Sequence, residues 1–279
     1  MGASRAAVLG SPVAHSLSPV LHLAAYRALG LDGWSYEAIE CDEHRLPGVL
    51  GSLGADWAGL SLTMPLKRAV LPLLDLAQPL VTRVGAANTV LLRGSRRVGH
   101  NTDVPGIARA MRGAGVSPEG NVAVVGGGAT ACAAIAALRD TVTDEVTVAV
   151  RAPERAEPVR EVARRFGVRV RLVQLGPGLA LQPWDLLIST VPGHAADSLA
   201  EQVALGTISA KAVFDVAYDP WPTALAVAAA ASGATVISGY ELLVQQAVGQ
   251  VELMTGRKAP VEQMRAAGLA ELDRRRNNR

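Results

Sequence analysis

Cysteine is scarce in this chain and never clustered. Only Cys41 and Cys132 occur among 279 residues, far apart and without a Cys-x-x-Cys pair. This usage argues against a disulfide framework and against a structural zinc site, because both need several closely spaced thiols. The five histidines also lack metal-ligand spacing, so we predict no metal. Two reduced thiols favour a cytoplasmic protein.

The chain also lacks a strong charge bias and a long apolar run. Lys and Arg number 27 against 25 Asp and Glu, a net charge of +2, which is too weak to predict nucleic-acid binding. We interpret Arg274–Arg276 as a frayed, solvated tail. The longest apolar run, Ala224–Ala231, is short and mostly alanine, whereas crossing a bilayer takes about 20 apolar residues. We therefore expect neither nucleic acid nor a membrane as a partner.

Strand-like and helical patterns alternate over nearly the whole chain. Ala6–Leu9, Ser35–Ile39 and Ala58–Leu62 predict strands, while Pro19–Leu29 and Glu43–Leu50 predict the helices between them. Such alternation is typical of βαβ units and a mostly parallel sheet. Helices predicted near the carboxyl terminus are expected to return to the first domain. The prediction is an α/β protein with a substrate domain, 1–104 with 238–279, and a Rossmann-like dinucleotide-binding domain, 105–237.

A glycine loop begins the second domain. The buried strand Val122–Val125 runs into Gly126, Gly127 and Gly128, and a helix is predicted from Thr130 to Arg139. Glycines permit a tight turn and close backbone approach, and a helix N-terminus offers N–H groups to a pyrophosphate. The strand before the loop and the helix after it indicate a dinucleotide site.

The end of the next strand selects the cofactor. An NAD-binding protein usually carries Asp or Glu there for the ribose hydroxyl. Here the strand Val146–Val150 is followed by Arg151, with Arg155 one turn later. Guanidinium groups bind phosphate bidentately. The two arginines favour NADP over NAD, the alternative being that they only solvate a loop.

A lysine in the first domain is a candidate for the proton transfer that accompanies hydride transfer by a nicotinamide. Lys67 follows Ser61, Thr63 and Pro65 in the segment Ser61–Lys67. A lysine near a carboxylate can move a proton while a nicotinamide moves a hydride. Together with the glycine loop, this segment predicts a carbonyl–alcohol oxidoreductase acting on a small molecule.

Several ordered motifs make the sequence similar to the shikimate dehydrogenase family over nearly its whole length. They are Gly10–Pro12, Ser16–Pro19, Thr63–Lys67, Gly85–Thr89, Asn101–Asp103, Tyr218–Pro220, and Gly239 with Gln245–Ala247. The family reaction is the reversible, NADP-linked reduction of 3-dehydroshikimate to shikimate, within aromatic amino-acid and chorismate biosynthesis. We expect the same reaction here.

The resemblance implies a role for each matching residue. Ser16 and Ser18 should bind the substrate carboxylate with Tyr218 nearby, and Thr63, Asn88 and Gln246 should hold ring hydroxyls. Lys67 and Asp103 are the predicted catalytic pair. The proton is transferred by one of the two, and the sequence leaves both assignments open. The predicted cofactor contacts are Gly126, Gly127, Gly128, Ala129, Thr130, Arg151, Arg155, Val216 and Gly239.

The chain departs from the family pattern at three positions. Ser61 stands where Asn is common, Ala129 replaces a glycine in the loop, and Ala152 replaces a threonine near the expected 2′-phosphate. The alternatives are a quinate/shikimate dehydrogenase with relaxed substrate or NAD use, and a non-catalytic NADP-binding regulator. The oligomeric expectation is a monomer or a homodimer.

Overall fold

The computed structural model describes residues 4–141, 145–176, 179–180 and 182–278. The chain divides into two compact units, unit 1 with residues 1–102 and 243–279 and unit 2 with residues 103–242. The predicted α/β class is confirmed. Among the described residues, no helix combines the length and apolar character needed to cross a membrane.

The strands and helices alternate along the chain. The strands are β1 Ser4–Gly10, β2 Trp34–Glu40, β3 Trp57–Leu62, β4 Leu76–Ala77, β5 Thr89–Arg93, β6 Arg96–His100, β7 Val122–Val125, β8 Glu145–Val150, β9 Arg169–Gln174, β10 Trp184–Ser189, β11 Ala210–Asp215 and β12 Thr235–Ser238. The helices are α1 Ser18–Ala28, α2 Leu46–Gly51, α3 Leu66–Ala69, α4 Pro79–Val84, α5 Asp103–Gly113, α6 Ala129–Leu138, α7 Glu157–Phe166, α8 Asp197–Ala204, α9 Ala224–Ala231, α10 Gly239–Thr255 and α11 Val261–Asn277.

The sheet of unit 1 has the strand order β2-β1-β3-β5-β6-β4. Strand β1 pairs in parallel with β2 and β3, while β5 is antiparallel to β3 and β6. The carboxyl ends of β1, β3 and β6 therefore lie at the same edge as the amino end of β5. Every residue of the central strand β3 is buried, as expected for a strand covered on both faces.

The sheet of unit 2 is parallel throughout, with the order β12-β11-β10-β7-β8-β9. Its order reverses between β7 and β10, and crevices outside the carboxyl ends at such a point bind ligands in open α/β sheets. The buried strand residues are mostly Val, Ala, Leu and Ile, together with Trp184 and Phe214. The runs Val122–Val125 and Val146–Val150 are the ones that predicted β7 and β8.

Some helices differ from the sequence prediction. The helix predicted over Glu43–Leu50 begins later, at Leu46, because the Asp42 carboxylate accepts a hydrogen bond from the Arg45 N–H at 2.9 Å and holds a turn. The charged segment Glu154–Phe166 predicts one helix, but the structure has a 3-10 turn at Pro153–Arg155 followed by α7. Helices α4 and α8 were not predicted, because each has only six to eight residues.

The prediction of a frayed tail at Arg274–Arg276 was wrong. These arginines lie in the last turns of α11. Positive side chains are stabilising there because the carboxyl end of a helix carries a partial negative charge. Glu271 pairs with Arg274 and Arg275 at 2.8 Å, and Arg276 pairs with Asp273 at 2.8 Å. Arg275 also donates to the His15 carbonyl oxygen at 2.7 Å.

Candidate active site

Asn88 is the centre of a buried amide and hydroxyl network in unit 1. Its Nδ2 donates to Thr102 Oγ1 at 2.9 Å and to Gln246 Oε1 at 3.2 Å. Its Oδ1 accepts the Thr102 N–H at 2.8 Å and the Thr89 hydroxyl at 3.0 Å. Gln250, one turn after Gln246, donates to the Asn88 carbonyl oxygen at 3.1 Å. The network fixes the orientation of the Asn88 amide and joins β5, the end of β6 and α10.

The segment with Thr63 and Lys67 lies beside this network. The Leu62 N–H donates to the Asn88 carbonyl oxygen at 2.8 Å, which places Thr63 next along the chain. The Lys67 carbonyl oxygen accepts the Ala87 N–H at 2.8 Å. Two backbone bonds thus hold the predicted substrate and catalytic residues of this segment next to Asn88, and the Lys67 side chain is half-buried.

The two predicted carboxylate-binding serines lie between β1 and α1. Ser16 Oγ accepts the Ser18 N–H at 3.2 Å, and Ser18 is a buried residue that begins α1. The loop starts close to the previous segment because the Ser11 N–H donates to the Met64 carbonyl oxygen at 2.9 Å. A Cβ on Gly10 would collide with the Thr63 methyl group, so this approach requires glycine. Unit 1 therefore collects Ser16, Ser18, Thr63, Lys67, Asn88 and Gln246 at one edge of its sheet.

The glycine loop in unit 2 follows β7 as the sequence predicts. Gly126 has φ +116, and a Cβ there would collide with Thr190 Oγ1. Gly128 precedes α6, whose first residues are Ala129 and Thr130. The loop thus leaves the first N–H groups of a ten-residue helix open to an anion.

Arg151 borders a cavity next to this loop. The cavity has a volume of about 550 Å³ and is lined by Gly127, Val150, Arg151, Ala152 and Ala156. Arg151 is exposed, so its guanidinium is accessible to an anion. The glycine cradle, the cavity and the cationic wall fit a phosphorylated dinucleotide. The side chain of the other predicted arginine, Arg155, lies outside the described residues.

The ends of β11 and β12 place Val216 beside Gly239. A Cβ on Gly239 would collide with the Val216 carbonyl oxygen, so only glycine allows this approach. The buried Asp215 accepts the Thr223 hydroxyl at 2.6 Å and the Ala217 N–H at 3.3 Å. Burial raises the pKa of the Asp215 carboxyl despite these bonds. Asp215 therefore braces both ends of the segment that carries Tyr218.

Asp103 is buried and is the first residue of α5, in unit 2. A carboxylate is favoured at this position by the positive end of the helix dipole. Thr102, immediately before it, belongs to the Asn88 network of unit 1. The chain between these adjacent residues therefore passes from one unit to the other.

Residue-by-residue reasoning missed part of the network. Thr89 and Thr102 lie inside motifs shared with the family but have no predicted role, and Gln250 lies outside those motifs. Gln250 follows Gln246 by four positions, the spacing that puts two residues on one face of a helix, and this was the available signal. Over the described ranges, no group of three or more His, Cys, Asp or Glu side chains is arranged to hold a metal ion.

The chain matches two family models. Residues 8–90 match the shikimate dehydrogenase substrate binding domain, and residues 239–267 match the shikimate 5'-dehydrogenase C-terminal domain. A shikimate dehydrogenase (NADP(+)) from Thermus thermophilus is 37% identical over 252 residues, covering 90% of this chain and 92% of the relative. The chain belongs to the shikimate dehydrogenase family.

Solved structures agree with this membership. Shikimate dehydrogenase from Mycobacterium tuberculosis has a TM-score of 0.86 and 41% identity, covering 96% of this chain and 99% of that one. The Thermus thermophilus enzyme in complex with NADP(H) and shikimate has a TM-score of 0.81 and 34% identity, covering 96% of this chain and 99% of that one. The shikimate dehydrogenase fold therefore accounts for both units of this chain.

Proposed function

We propose that this protein catalyses the reversible, NADP-linked reduction of 3-dehydroshikimate to shikimate. The observation that carries the proposal is the buried network that orients the Asn88 amide beside the anchored Lys67 segment. A chain of this family that keeps such a site has the groups needed to recognise a small polyhydroxylated acid. A non-catalytic regulator would have no chemical need for Lys67 and Asp103.

Substrate recognition divides between the carboxylate and the ring. The hydroxyls of Ser16 and Ser18 donate to the carboxylate, with Tyr218 nearby. Thr63, Asn88 and Gln246 bind ring hydroxyls, and a hydroxyl that bonds the Asn88 amide replaces one of its network partners, because both Nδ2 hydrogens and both Oδ1 lone pairs are engaged within the network. A buried site of this kind rejects a substrate that leaves its polar groups unpaired.

Lys67 and Asp103 carry the proton chemistry. Negative charge grows on the carbonyl oxygen as the carbon is reduced, and the Lys67 ammonium stabilises this charge and provides a proton at Nζ. The Asp103 carboxylate accepts a hydrogen bond from the substrate. Removal of either group should lower kcat far more than it changes binding of the cofactor.

Unit 2 provides the cofactor site. NADP(H), when bound, supplies or accepts the hydride. Gly126, Gly127, Gly128, Ala129 and Thr130 cradle the pyrophosphate with backbone groups. Arg151, with Arg155, binds the 2′-phosphate, and Val216 with Gly239 lies near the nicotinamide.

The proposed setting is the cytoplasm, with the protein as a monomer or a homodimer. Cys41 and Cys132 are both buried free thiols, which suits a reducing compartment. Light scattering of the purified protein separates the two oligomeric forms.

A steady-state assay tests the proposal. Shikimate or quinate is offered with NADP⁺ or NAD⁺, and reduced nicotinamide is followed by absorbance. We expect turnover mainly with shikimate and NADP⁺, and Lys67→Ala should lower kcat by roughly 10²–10⁴-fold. The matched control Lys258→Ala, at an exposed lysine of the same unit, should keep wild-type kcat.

The other outcomes contradict the proposal in different ways. Efficient use of quinate or NAD⁺ would assign the protein to the relaxed-specificity alternative. NADP binding without turnover in any combination would assign it to the regulator alternative.

A further inference from the structure

Gln250 of α10 reaches the Asn88 amide through Thr89. Its Nε2 donates to the Asn88 carbonyl oxygen at 3.1 Å and to Thr89 Oγ1 at 3.2 Å. Since a carbonyl oxygen only accepts, the Gln250 atom that faces it is the amide nitrogen. Gln250 is 1% exposed, and its Oε1 has no hydrogen-bond partner among the described residues. The orientation of this side chain is therefore set by what it donates, although a buried oxygen left unpaired is costly.

The bond from Gln250 sets the direction of the Thr89 hydroxyl. A hydroxyl has one hydrogen, and the amide nitrogen supplies the hydrogen of the bond between Gln250 and Thr89. The Thr89 hydrogen is therefore directed to Asn88 Oδ1, which lies 3.0 Å from Thr89 Oγ1. The Thr102 N–H donates to the same oxygen at 2.8 Å. Two donors of the protein thus occupy the lone pairs of Asn88 Oδ1.

With Oδ1 occupied, Nδ2 is the Asn88 atom at which a ligand can replace a partner. Nδ2 donates to Thr102 Oγ1 at 2.9 Å and to Gln246 Oε1 at 3.2 Å, and the second bond is the longer. The Gln246 amide nitrogen donates to the Leu243 carbonyl oxygen at 3.2 Å, which leaves Oε1 as its acceptor. A hydroxyl that replaces the bond between Asn88 and Gln246 accepts from Nδ2 and donates its single hydrogen to Oε1. One hydroxyl then satisfies both amides.

We propose that Gln250 is a positioning residue that acts through Thr89 to keep Asn88 Oδ1 occupied, so that Asn88 Nδ2 binds a ring hydroxyl of the substrate. The inference rests on the proposed function, which assigns Asn88 and Gln246 to ring hydroxyls. Without the donor at Gln250, the Thr89 hydroxyl can rotate away from Oδ1, and Oδ1 then competes for the hydrogen of the substrate hydroxyl. Only a fraction of the sites keeps the productive arrangement, and the apparent affinity falls by that fraction.

Steady-state kinetics of Gln250→Met test this role, because methionine keeps the length of the side chain and removes its amide donor. We expect KM for shikimate to rise by about fivefold, with kcat within about twofold and KM for NADP⁺ unchanged. Thr89→Val removes the hydroxyl from a side chain of the same shape and should raise KM for shikimate by a similar factor. In the double variant the two effects should not multiply, because both substitutions interrupt the same path to Asn88.

The matched control is Thr255→Val in the same helix. Thr255 is buried, and its hydroxyl donates to the Val251 carbonyl oxygen at 2.7 Å, outside the network around Asn88. This variant loses a buried hydrogen bond of α10, so its thermal stability should fall. Its KM for shikimate should stay at the wild-type value, which separates positioning from a general loss of stability.

Substrate analogues separate positioning from local packing. Shikimate has three ring hydroxyls, of which one is oxidised in the reaction, and two analogues each lack one of the other two. With one analogue, Gln250→Met should change KM by less than about twofold, because the hydroxyl between Asn88 and Gln246 is absent. With the other analogue the rise of about fivefold should remain. For an analogue that is not oxidised, its inhibition constant against shikimate replaces KM.

An unchanged KM for shikimate in Gln250→Met would overturn the inference, and Thr89→Val decides it in the same way where Gln250→Met does not fold. Multiplicative effects in the double variant, an equal rise in Thr255→Val, or an equal effect of Gln250→Met with both analogues would also overturn it. In each of these cases the wild type still oxidises shikimate, and the proposed function stands. Absence of wild-type turnover would overturn both.

Discussion

The two units build their predicted sites from different materials. In unit 1 the site is centred on buried side chains that hydrogen-bond one another, with Asn88 engaged by Thr89, Thr102 and Gln246. In unit 2 it consists of glycines, open helix N–H groups and an exposed Arg151 around a cavity of about 550 Å³. The first kind of site selects by side-chain geometry, and the second accommodates a ligand by leaving backbone uncovered.

This difference teaches where each site is vulnerable. A network of buried polar groups loses stability as soon as one member is truncated, because its partners remain buried and unpaired. A backbone cradle tolerates truncation but not the addition of a Cβ where another atom already occupies that space or where φ is positive. Truncating a side chain should therefore destabilise the site of unit 1 most, and adding a Cβ to a glycine should damage the site of unit 2 most.

The largest expected effect comes from Asn88→Ala. Removing the amide orphans buried partners in Thr102 and Gln246, so the free energy of unfolding should fall by about 4 kcal/mol. Urea denaturation of the variant and wild type measures it. The exposed Asn121→Ala is the control and should cost less than about 0.5 kcal/mol. An equal loss of unfolding free energy in Asn88→Ala and Asn121→Ala would contradict the special role of the buried network in unit 1.

A buried histidine of unit 1 should make stability depend on pH. His22 has its pKa lowered to about 4 by burial, below the ordinary value of 6.5. Above pH 6.5 the ring is neutral in both states and contributes no pH dependence. Below it the unfolded chain takes up a proton that the folded chain does not, so the free energy of unfolding falls as pH falls.

Denaturation at pH 7 and pH 4.5 measures this dependence. Wild type should lose about 2.5 kcal/mol more than His22→Gln over this range, from about 1.4 kcal/mol per pH unit between pH 6.5 and 4.5. Tyr26 and Tyr36, which pack on the ring, do not titrate there because burial raises the pKa of both. An equal pH dependence in the two proteins would show that His22 is not the group responsible.

Addition of a single methyl group should damage unit 2. Gly126→Ala places a Cβ against Thr190 Oγ1 at φ +116, which should cost about 2 kcal/mol of unfolding free energy and weaken NADP binding. Gly128→Ala is the matched control, since no heavy atom lies within 4 Å of its Cβ position. Thermal denaturation compares them, and an unperturbed Gly126→Ala would contradict the backbone account.

The smallest expected effect is at Arg151. Arg151→Gln should raise KM for NADP⁺ about tenfold, or about 1.4 kcal/mol, and leave KM for NAD⁺ nearly unchanged. Arg164→Gln, at an exposed arginine of α7 paired with Glu161, is the control and should change neither constant. If Arg151→Gln raised KM for NADP⁺ and KM for NAD⁺ by the same factor, Arg151 would not bind the 2′-phosphate.

The same contrast explains how much the sequence could predict. The strand β7, the glycine loop and α6 follow one another within twenty residues, so local patterns were enough to locate them. Asn88 and Gln246 are 158 positions apart, and periodicity carries no signal for such a pair. Their selection depended on the family resemblance.

Residues without a motif were missed. Tyr36 lies on a predicted strand where a buried aromatic side chain is ordinary, and only the register across β1 brings its hydroxyl to within 2.6 Å of Ser61 Oγ. The ion pairs of Arg274–Arg276 were missed for a related reason. The interpretation of this segment as frayed overlooks Glu271, which lies three and four positions before two of the arginines and pairs with both within α11.

The most direct test of the division between the units is a paired kinetic measurement. KM for shikimate and KM for NADP⁺ are determined for Gln246→Ala in unit 1 and Arg151→Gln in unit 2. The account predicts that Gln246→Ala raises only KM for shikimate, by about tenfold or more, and that Arg151→Gln raises only KM for NADP⁺. A rise in both constants for either variant, or the reverse assignment, would contradict it.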